Sequence, residues 1–384
     1  MLWKSNSKVL GQSVFFIMKK FILLFAVLFL FCSFIQNSQT KLLVIPPNET
    51  VSLIFAGDIM GHSPQYKAAY NGSNNTFNYD ICFQSVKSYI QSADFAVANL
   101  EVPIAGQPYS GYPNFSSPDE LLDALKKVGF KVLLTANNHV LDRGKGGLER
   151  TIKQLEKRNF LHAGSYIDIN QRDSIYPVVL ESKGLRVAIL NCTYGTNAHQ
   201  VSNPNLVNYI DSTEIMNDIE DLNKLGVDFK IMTVHWGTEY ELQANQTQRS
   251  FAQFLANHGI NLIIGSHPHV VQNAEILHGK DSVQVPVIYS LGNYISNQRQ
   301  QNQDGGVMVK VEIDAKSKSL IKTSFLPVWV YRGTLNGDYQ YHLIPTKDYF
   351  EKPTFYKLNK KDSLSLSFFD QSTKKRLSNL ELLK

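Results

Sequence analysis

The chain reads as an α/β fold, a mixed sheet flanked by helices with an antiparallel section towards its C-terminal end. Two observations predict this. Between Thr50 and about Pro327, apolar β-rich runs alternate with amphipathic helical patterns over short connections, the order that builds sheets with helices outside them. Near the end, VPVIYSLGNYI, GGVMVKVEI and SLIKTSFLPVWVY follow one another with no helix between them, so these runs are expected to pair as antiparallel neighbours.

The elements follow in order. VSLIFAGD and FAVANLE are strands. SPDELLDALKKVGF is a helix with Ser117 as N-cap, Pro118 at the first helical position, Leu121, Leu122 and Leu125 on one face and Gly129 at its stop. KVLLTA is a buried strand and GLERTIKQLEKRN a second helix. RVAILNC is a strand, STEIMNDIEDLNKLG a helix, and TQRSFAQFLANHG a helix that feeds the strand INLIIG. Leu335, Asn336, Gly337 and Asp338 read as the turn of a last hairpin, YRGTLNGDYQYHLIP. From about Phe350 the chain is rich in Lys and Ser and reads as a weakly amphipathic tail.

The first forty residues read as targeting sequence rather than fold. Met18, Lys19 and Lys20 precede FILLFAVLFLFCSFI, a positive n-region followed by an apolar h-region. Residues 1–35 are therefore expected to be an export signal, with Met18 an alternative start, or an uncleaved anchor, although Phe21–Ile35 is short for a span of about 20 residues. Residues 36–49 are then a linker, 50–345 the folded domain and 346–384 the tail. Lys4, Lys8, Lys19 and Lys20 account for most of the formal charge of +5. Without them the remaining basic side chains nearly balance the 33 acidic ones. That balance speaks against a general electrostatic grip on nucleic acid. Cys32 falls in the apolar run, and Cys82 and Cys192 lack the spacing of a zinc site, so two small buried side chains are expected.

Five short motifs carry the chemistry. GDIMGH at 57–62, NLE at 99–101, NNHVLD at 137–142, VHWG at 234–237 and GSHPHV at 265–270 each follow an apolar β-rich run. Asp58, Glu101, Asn138, His139, His235, His267 and His269 therefore emerge at strand ends, where α/β sheets collect ligands. A single strand-end Asp or buried His is ordinarily structural. Five such motifs, all offering oxygen or imidazole donors, point to a hydrolytic site for one or two divalent cations of the Mn, Fe, Zn or Mg kind.

GDIM, ANLE, TANNHVLDRG, VHWG with Glu239 and Tyr240 just beyond it, GSHPHV and YSLGNYI together resemble the CapA family of poly-gamma-glutamate capsule biosynthesis proteins, a branch of the calcineurin-like metallophosphoesterases. The likeness covers roughly residues 51–330. It implies a four-layer α/β/β/α sandwich with the metal centre at one edge, and export to the cell envelope. Carried over residue by residue, it implies that Asp58 and His269 hold one metal, that Asn138, His235 and His267 hold the second, and that Glu101 bridges them. His139 would be the general acid that meets substrate, with Asp142 orienting it.

Two positions depart from the superfamily pattern. Met60 stands where a His is usual and is a poor ligand for hard cations, and Glu101 is one methylene longer than the usual Asp. His62 is four residues from Asp58 and is either a substitute ligand or a solvated loop histidine. Asn99 and Asn293 are candidates to orient substrate oxygens or to bind loop backbone, and Arg143 to grip a phosphate or carboxylate or to form a surface ion pair. Two functions remain open. One is an exported metal-dependent phosphoester hydrolase or transferase that makes or remodels an anionic envelope polymer. The other is a non-catalytic envelope factor on the same fold that binds polyanion or assists a membrane synthase.

Overall fold

The computed structural model describes residues 49–335 and 337–383. The expected export signal, nearly all of the linker, and Asn336 of the hairpin turn lie outside the described residues.

Strand β1 (Thr50–Ile59) explains the layering. Successive side chains of a strand point to opposite faces, and here both faces are apolar: Val51, Leu53 and Phe55 enter one core, Ile54 and Ala56 another. A strand buried on both sides sits in the middle of a sheet that is covered on both sides. The first core is shared with a second sheet through Val187, Ile189, Ile231 and Ile263. The other is closed by helix α1 (Glu120–Val128) through Leu121, Leu122 and Leu125. On the second sheet pack α3 (Ser212–Lys224), with Ile215, Ile219 and Leu222, and α4 (Gln246–Asn257), with Ala252 and Leu255. The four layers are helix, sheet, sheet, helix.

In the first sheet, β2 (Phe95–Leu100), β3 (Val132–Leu134) and β4 (Leu161–Ala163) follow β1 in parallel order. The second contains β5 (Val178–Ser182), β6 (Leu185–Thr193), β7 (Phe229–His235), β8 (Leu262–Ser266), β9 (Ala274–His278) and β10 (Gln284–Ile288), in the order β9-β10-β8-β7-β6-β5. Between β3 and β4 runs α2 (Gly144–Lys157).

The C-terminal runs are only partly antiparallel. β12 (Gly305–Asp314) pairs antiparallel with β1, β13 (Ser319–Leu335) with β12 and β14 (Asp338–Pro345) with β13, and Leu335 opposes Asp338 across the expected turn. VPVIYSLGNYI instead switches sheets. Its first half is β10, parallel to β8, and its second is β11 (Asn293–Ile295), parallel to β1. The break falls at Gly292, which takes φ +69, a left-handed angle that glycine reaches without Cβ strain.

Helix α1 starts later than expected. Its N-cap is Asp119, because Pro118 closes a turn by accepting from Leu121 N at 3.2 Å, and the Asp119 carboxylate is gripped by Arg150 at 2.8 and 3.0 Å. Nor is the stretch after 346 a tail. Helix α5 (Lys360–Arg376) buries Leu366, Phe369 and Thr373 along one stripe, with Leu377 just beyond its end. Asp370, buried in that stripe, accepts from Thr346 at 2.6 Å and pairs with Lys374 at 2.8 Å. These polar members dilute the apolar period, which is why the sequence looks weakly amphipathic.

Among the described residues Cys82 and Cys192 are free thiols, buried in different cores. Among the described residues no helix is long and apolar enough to cross a membrane.

Candidate metal centre

The parallel strands of both sheets deliver their ends to one place. In the first sheet Asp58 sits in register with Asn99 on one side and Asn293 on the other. The register shifts at this point, and an added Cβ at Gly57 would lie 2.0 Å from the Gly292 carbonyl oxygen, so only glycine lets the two backbones close up beside Asp58. In the second sheet His235 ends β7 opposite Ser266. His267 and His269 follow β8 with φ +98 and +57, left-handed angles uncommon for side-chain-bearing residues. Strained backbone of this kind clusters at functional sites, and here it accompanies two imidazoles that enter the same buried cluster.

Asp58, Glu101, Asn138, His235, His267 and His269 all converge there, and all are buried. Two sets of donors can be drawn, Glu101 with His235 and His267, and Asp58 with Glu101 and His269, each with ligand atoms within 4.8 Å of one another. Glu101 belongs to both. Its Oε1 lies 3.5 Å from His235 Nε2 and 3.8 Å from His269 Nε2, while His269 Nδ1 is 3.4 Å from Asp58 Oδ2. Asn138 Oδ1 reaches His235 Nε2 at 2.8 Å.

The donor set fits divalent cations. Glu101 Oε1 and His267 Nδ1 are buried with no hydrogen-bond partner, a costly condition unless something else satisfies them. Among the described residues neither Asp58 nor Glu101 pairs with a Lys or Arg, only with histidines. Burial, then the neighbouring Asp58 charge, pushes the Glu101 carboxyl well above its usual range. Burial likewise drives His235 well down, and lowers His267 to about 3 with the help of the neighbouring His269. Neutral imidazoles and an acid short of counter-charge are the state that a cation completes.

Asn99 and Asn293 serve this cluster rather than standing ready for substrate. Asn99 Nδ2 donates to Asp58 Oδ1 at 2.8 Å and contacts Glu101 Oε2 at 3.3 Å. Asn293 Oδ1 meets His269 Nδ1 at 3.1 Å, and its amide nitrogen donates to Gln298 Oε1 and to the Gln303 carbonyl, both at 2.8 Å. Ser266 Oγ lies 2.9 Å from His235 Nδ1. Such outer contacts fix ring orientation and leave the other nitrogen for a metal.

A family comparison bears on this arrangement. The model described as "Bacterial capsule synthesis protein PGA_cap" matches residues 52–298. The chain belongs to this family. Within it, the chain is 26% identical over 295 residues to the capsule biosynthesis protein CapA of Bacillus anthracis, covering 72% of this chain and 67% of that one. It is also 26% identical over 311 residues to the PGA biosynthesis protein CapA of Bacillus subtilis (strain 168), covering 77% and 76%. Among solved structures it is similar to an NAD nucleotidase of Haemophilus influenzae (TM-score 0.49, 10% identity, 85% of this chain and 68% of that one). A second is the calcineurin-like phosphoesterase YfkN of Bacillus subtilis (TM-score 0.42, 13% identity, 85% and 98%).

Beside the cluster of this PGA_cap chain stands His139, buried, with Nδ1 2.8 Å from Asp142 Oδ2. The same carboxylate oxygen accepts from Phe115 N at 2.8 Å, and the Phe115 ring meets the imidazole edge to face, 4.7 Å between centroids. Asn137 Oδ1 accepts from His139 N at 3.2 Å. Arg143, by contrast, donates Nη1 to the Pro108 carbonyl at 2.8 Å and to Ser110 Oγ at 3.3 Å, which ties it to the neighbouring loop. Met60 packs in the core behind the site. His62 is lowered to about 4, chiefly by burial, and its Nδ1 contacts Gln65 and the backbone of Asn297; it belongs to neither donor set.

Two residues of the site carry no signal in the sequence. Tyr194 lies with its ring centroid 4.6 Å from that of His267 and is stacked on His235 at 6.3 Å. Asn197, at φ +47, accepts from Asn138 Nδ2 at 3.2 Å. Both lie in the irregular loop after β6, where no period or donor spacing marks them.

Proposed function

We propose that this chain is an exported, metal-dependent phosphoesterase-like protein that acts as hydrolase or transferase in making or remodelling an anionic envelope polymer of the poly-gamma-glutamate type. The observation that carries the reading is Glu101, shared by two buried donor sets whose other members are Asp58, His235, His267 and His269. Family membership supports the capsule role, and the name of the Bacillus subtilis relative supports the polymer class.

Asp58, Glu101 and His269 would hold one cation and Glu101, Asn138, His235 and His267 the other. Divalent ions there supply an activated water and screen the phosphate oxygens. The chain's own residues do the rest. Asn99 holds Asp58 and Glu101 in place, and Asn293 and Ser266 orient His269 and His235. Asp142 accepts from His139 Nδ1, which leaves Nε2 as the nitrogen to pass a proton to the leaving oxygen as its bond to phosphorus breaks.

Met60 favours a second reading. Because it is buried in the core and offers no donor, the Asp58 side of the centre has one imidazole, His269. A weakly loaded centre suits a non-catalytic factor that binds polyanion or assists a membrane synthase. The deciding experiment is a screen of phosphomonoesters and phosphodiesters with the purified full chain and added Mn²⁺. Hydrolysis that EDTA abolishes and Mn²⁺ restores supports the enzyme; a metal-loaded protein that cleaves none supports the factor. Export is tested separately: sequencing of the mature N-terminus should find it after about Ser33, and Met1 or Met18 intact on cytoplasmic protein contradicts it.

A further inference from the structure

Tyr194 has two neighbours. On one side are the rings of His235 and His267. It also lines an open cleft of about 680 Å³, within the usual range for small-molecule sites. Trp236, the residue after His235, Ile210, Phe251 and Phe254 supply the cleft's apolar surface. The indole is fixed, with Nε1 donating to the Tyr289 carbonyl at 2.9 Å and Phe251 packed edge to face at 6.0 Å.

Among the described residues the lining contains no charged side chain. Its polar members are hydroxyls and amides; Ser212 and Thr247, in the first turns of α3 and α4, and Ser250 offer hydroxyl donors, whereas the helix-end N–H groups of Thr213, Glu214 and Gln248 are already taken by the caps Asp211 and Asn245. Aromatic surface beside such donors suits a ring that carries oxygen acceptors and no net charge. A polyanion would find no cationic side chain here.

We infer that this cleft is the leaving-group subsite of the metal centre: it receives an uncharged, oxygen-bearing ring of the substrate, a sugar or a nucleobase, while the phosphoester lies among Asp58, Glu101 and the histidines. The inference rests on the phosphoesterase reading for the second half of that placement. The shared wall, Tyr194, makes the two halves contiguous.

The test uses the full chain and two exposed positions outside the centre, Ser212→Trp and Thr247→Trp, each of which adds an indole to the cleft lining. Binding is read first, by saturation-transfer NMR with adenosine and with methyl N-acetylglucosaminide, neither of which needs turnover. At least one should give a signal that both variants lose, and which one responds tells nucleobase from sugar. Turnover is read second. Adenosine 5′-phosphate or N-acetylglucosamine 6-phosphate should exceed glycerol phosphate in kcat/KM by about tenfold or more. Both variants should erase that advantage and leave glycerol phosphate turnover unchanged. Ring binding without hydrolysis of any ester would retain the subsite and fail the phosphoesterase reading. Hydrolysis without ring preference, absence of binding by both ring probes, or capture of tri-glutamate in their place would overturn the subsite.

Discussion

At the scale of single residues, the groups that would hold metal are distinct from the group that would act on substrate. His139 belongs to neither donor set, and its Nδ1 is engaged by Asp142. His139→Ala should therefore keep the metal content of the wild type while lowering turnover by about 10² to 10⁴, the usual worth of a positioned acid. Elemental analysis alongside kinetics checks both halves, and loss of metal with activity would move His139 into the ligand set. Asn99→Leu should do the reverse. It removes the donor to Asp58 and Glu101, so metal affinity should fall by about 10- to 100-fold in a chelator competition, as it does when outer-shell partners are lost. The ligand-type residues were legible in the sequence because each follows an apolar run and offers a donor atom. The roles of Asn99 and Asn293 were not, since strand-end placement leaves open whether an amide meets substrate or a neighbouring carboxylate. The contact of Arg143 was not legible either: a guanidinium near a motif leaves an anion and a surface ion pair open, and the Pro108 carbonyl to which it donates comes from a loop 35 residues away.

At the scale of elements, Gly57 and His162 give the sharpest expectations. Gly57→Ala forces a methyl against the Gly292 carbonyl across the β1–β11 contact. Neither backbone yields cheaply, so urea unfolding should show a loss of about 1–3 kcal/mol, with weaker metal binding as Asp58 shifts. His162 lies on the edge strand β4, buried, with neither ring nitrogen hydrogen-bonded and the Glu156 carboxylate 4.0 Å away. Burial lowers its pKa from 6.5 to about 4. The unfolded chain takes up this proton below about pH 6.5 and the folded chain resists until about 4. Its contribution is therefore complete above pH 6.5 and drains away as the pH falls towards 4, by about 3 kcal/mol at most. His162→Leu should lose correspondingly less stability between pH 7 and 4.5 than the wild type; equal losses would show that this histidine is not held neutral. Periodicity located the long strands and the helices α1, α3 and α4. It did not locate the sheet switch at Gly292 or the packing of α5, because both depend on distant surfaces: the first on a carbonyl pressed against Gly57, the second on a stripe in which the buried Asp370 carboxylate is satisfied by Lys374 and Thr346.

At the scale of the whole molecule, the centre is a junction between sheets. Asp58, Glu101 and Asn138 come from the ends of β1, β2 and β3, and His235, His267 and His269 from β7 and β8. A cation there would tie one half of the sandwich to the other. Saturating Mn²⁺ should raise the midpoint of thermal unfolding, by an amount that grows with the ratio of free metal to its dissociation constant, about 2.7 kcal/mol at a hundredfold excess. The central claim is the shared carboxylate, and the manganese content of the full chain after equilibration with Mn²⁺ and gel filtration tests it most directly. The wild type should hold two ions per chain, one for each donor set, His235→Ala and His269→Ala one apiece, and Glu101→Ala none. A wild type that retains no manganese, or a Glu101→Ala protein that retains two ions, would contradict the account.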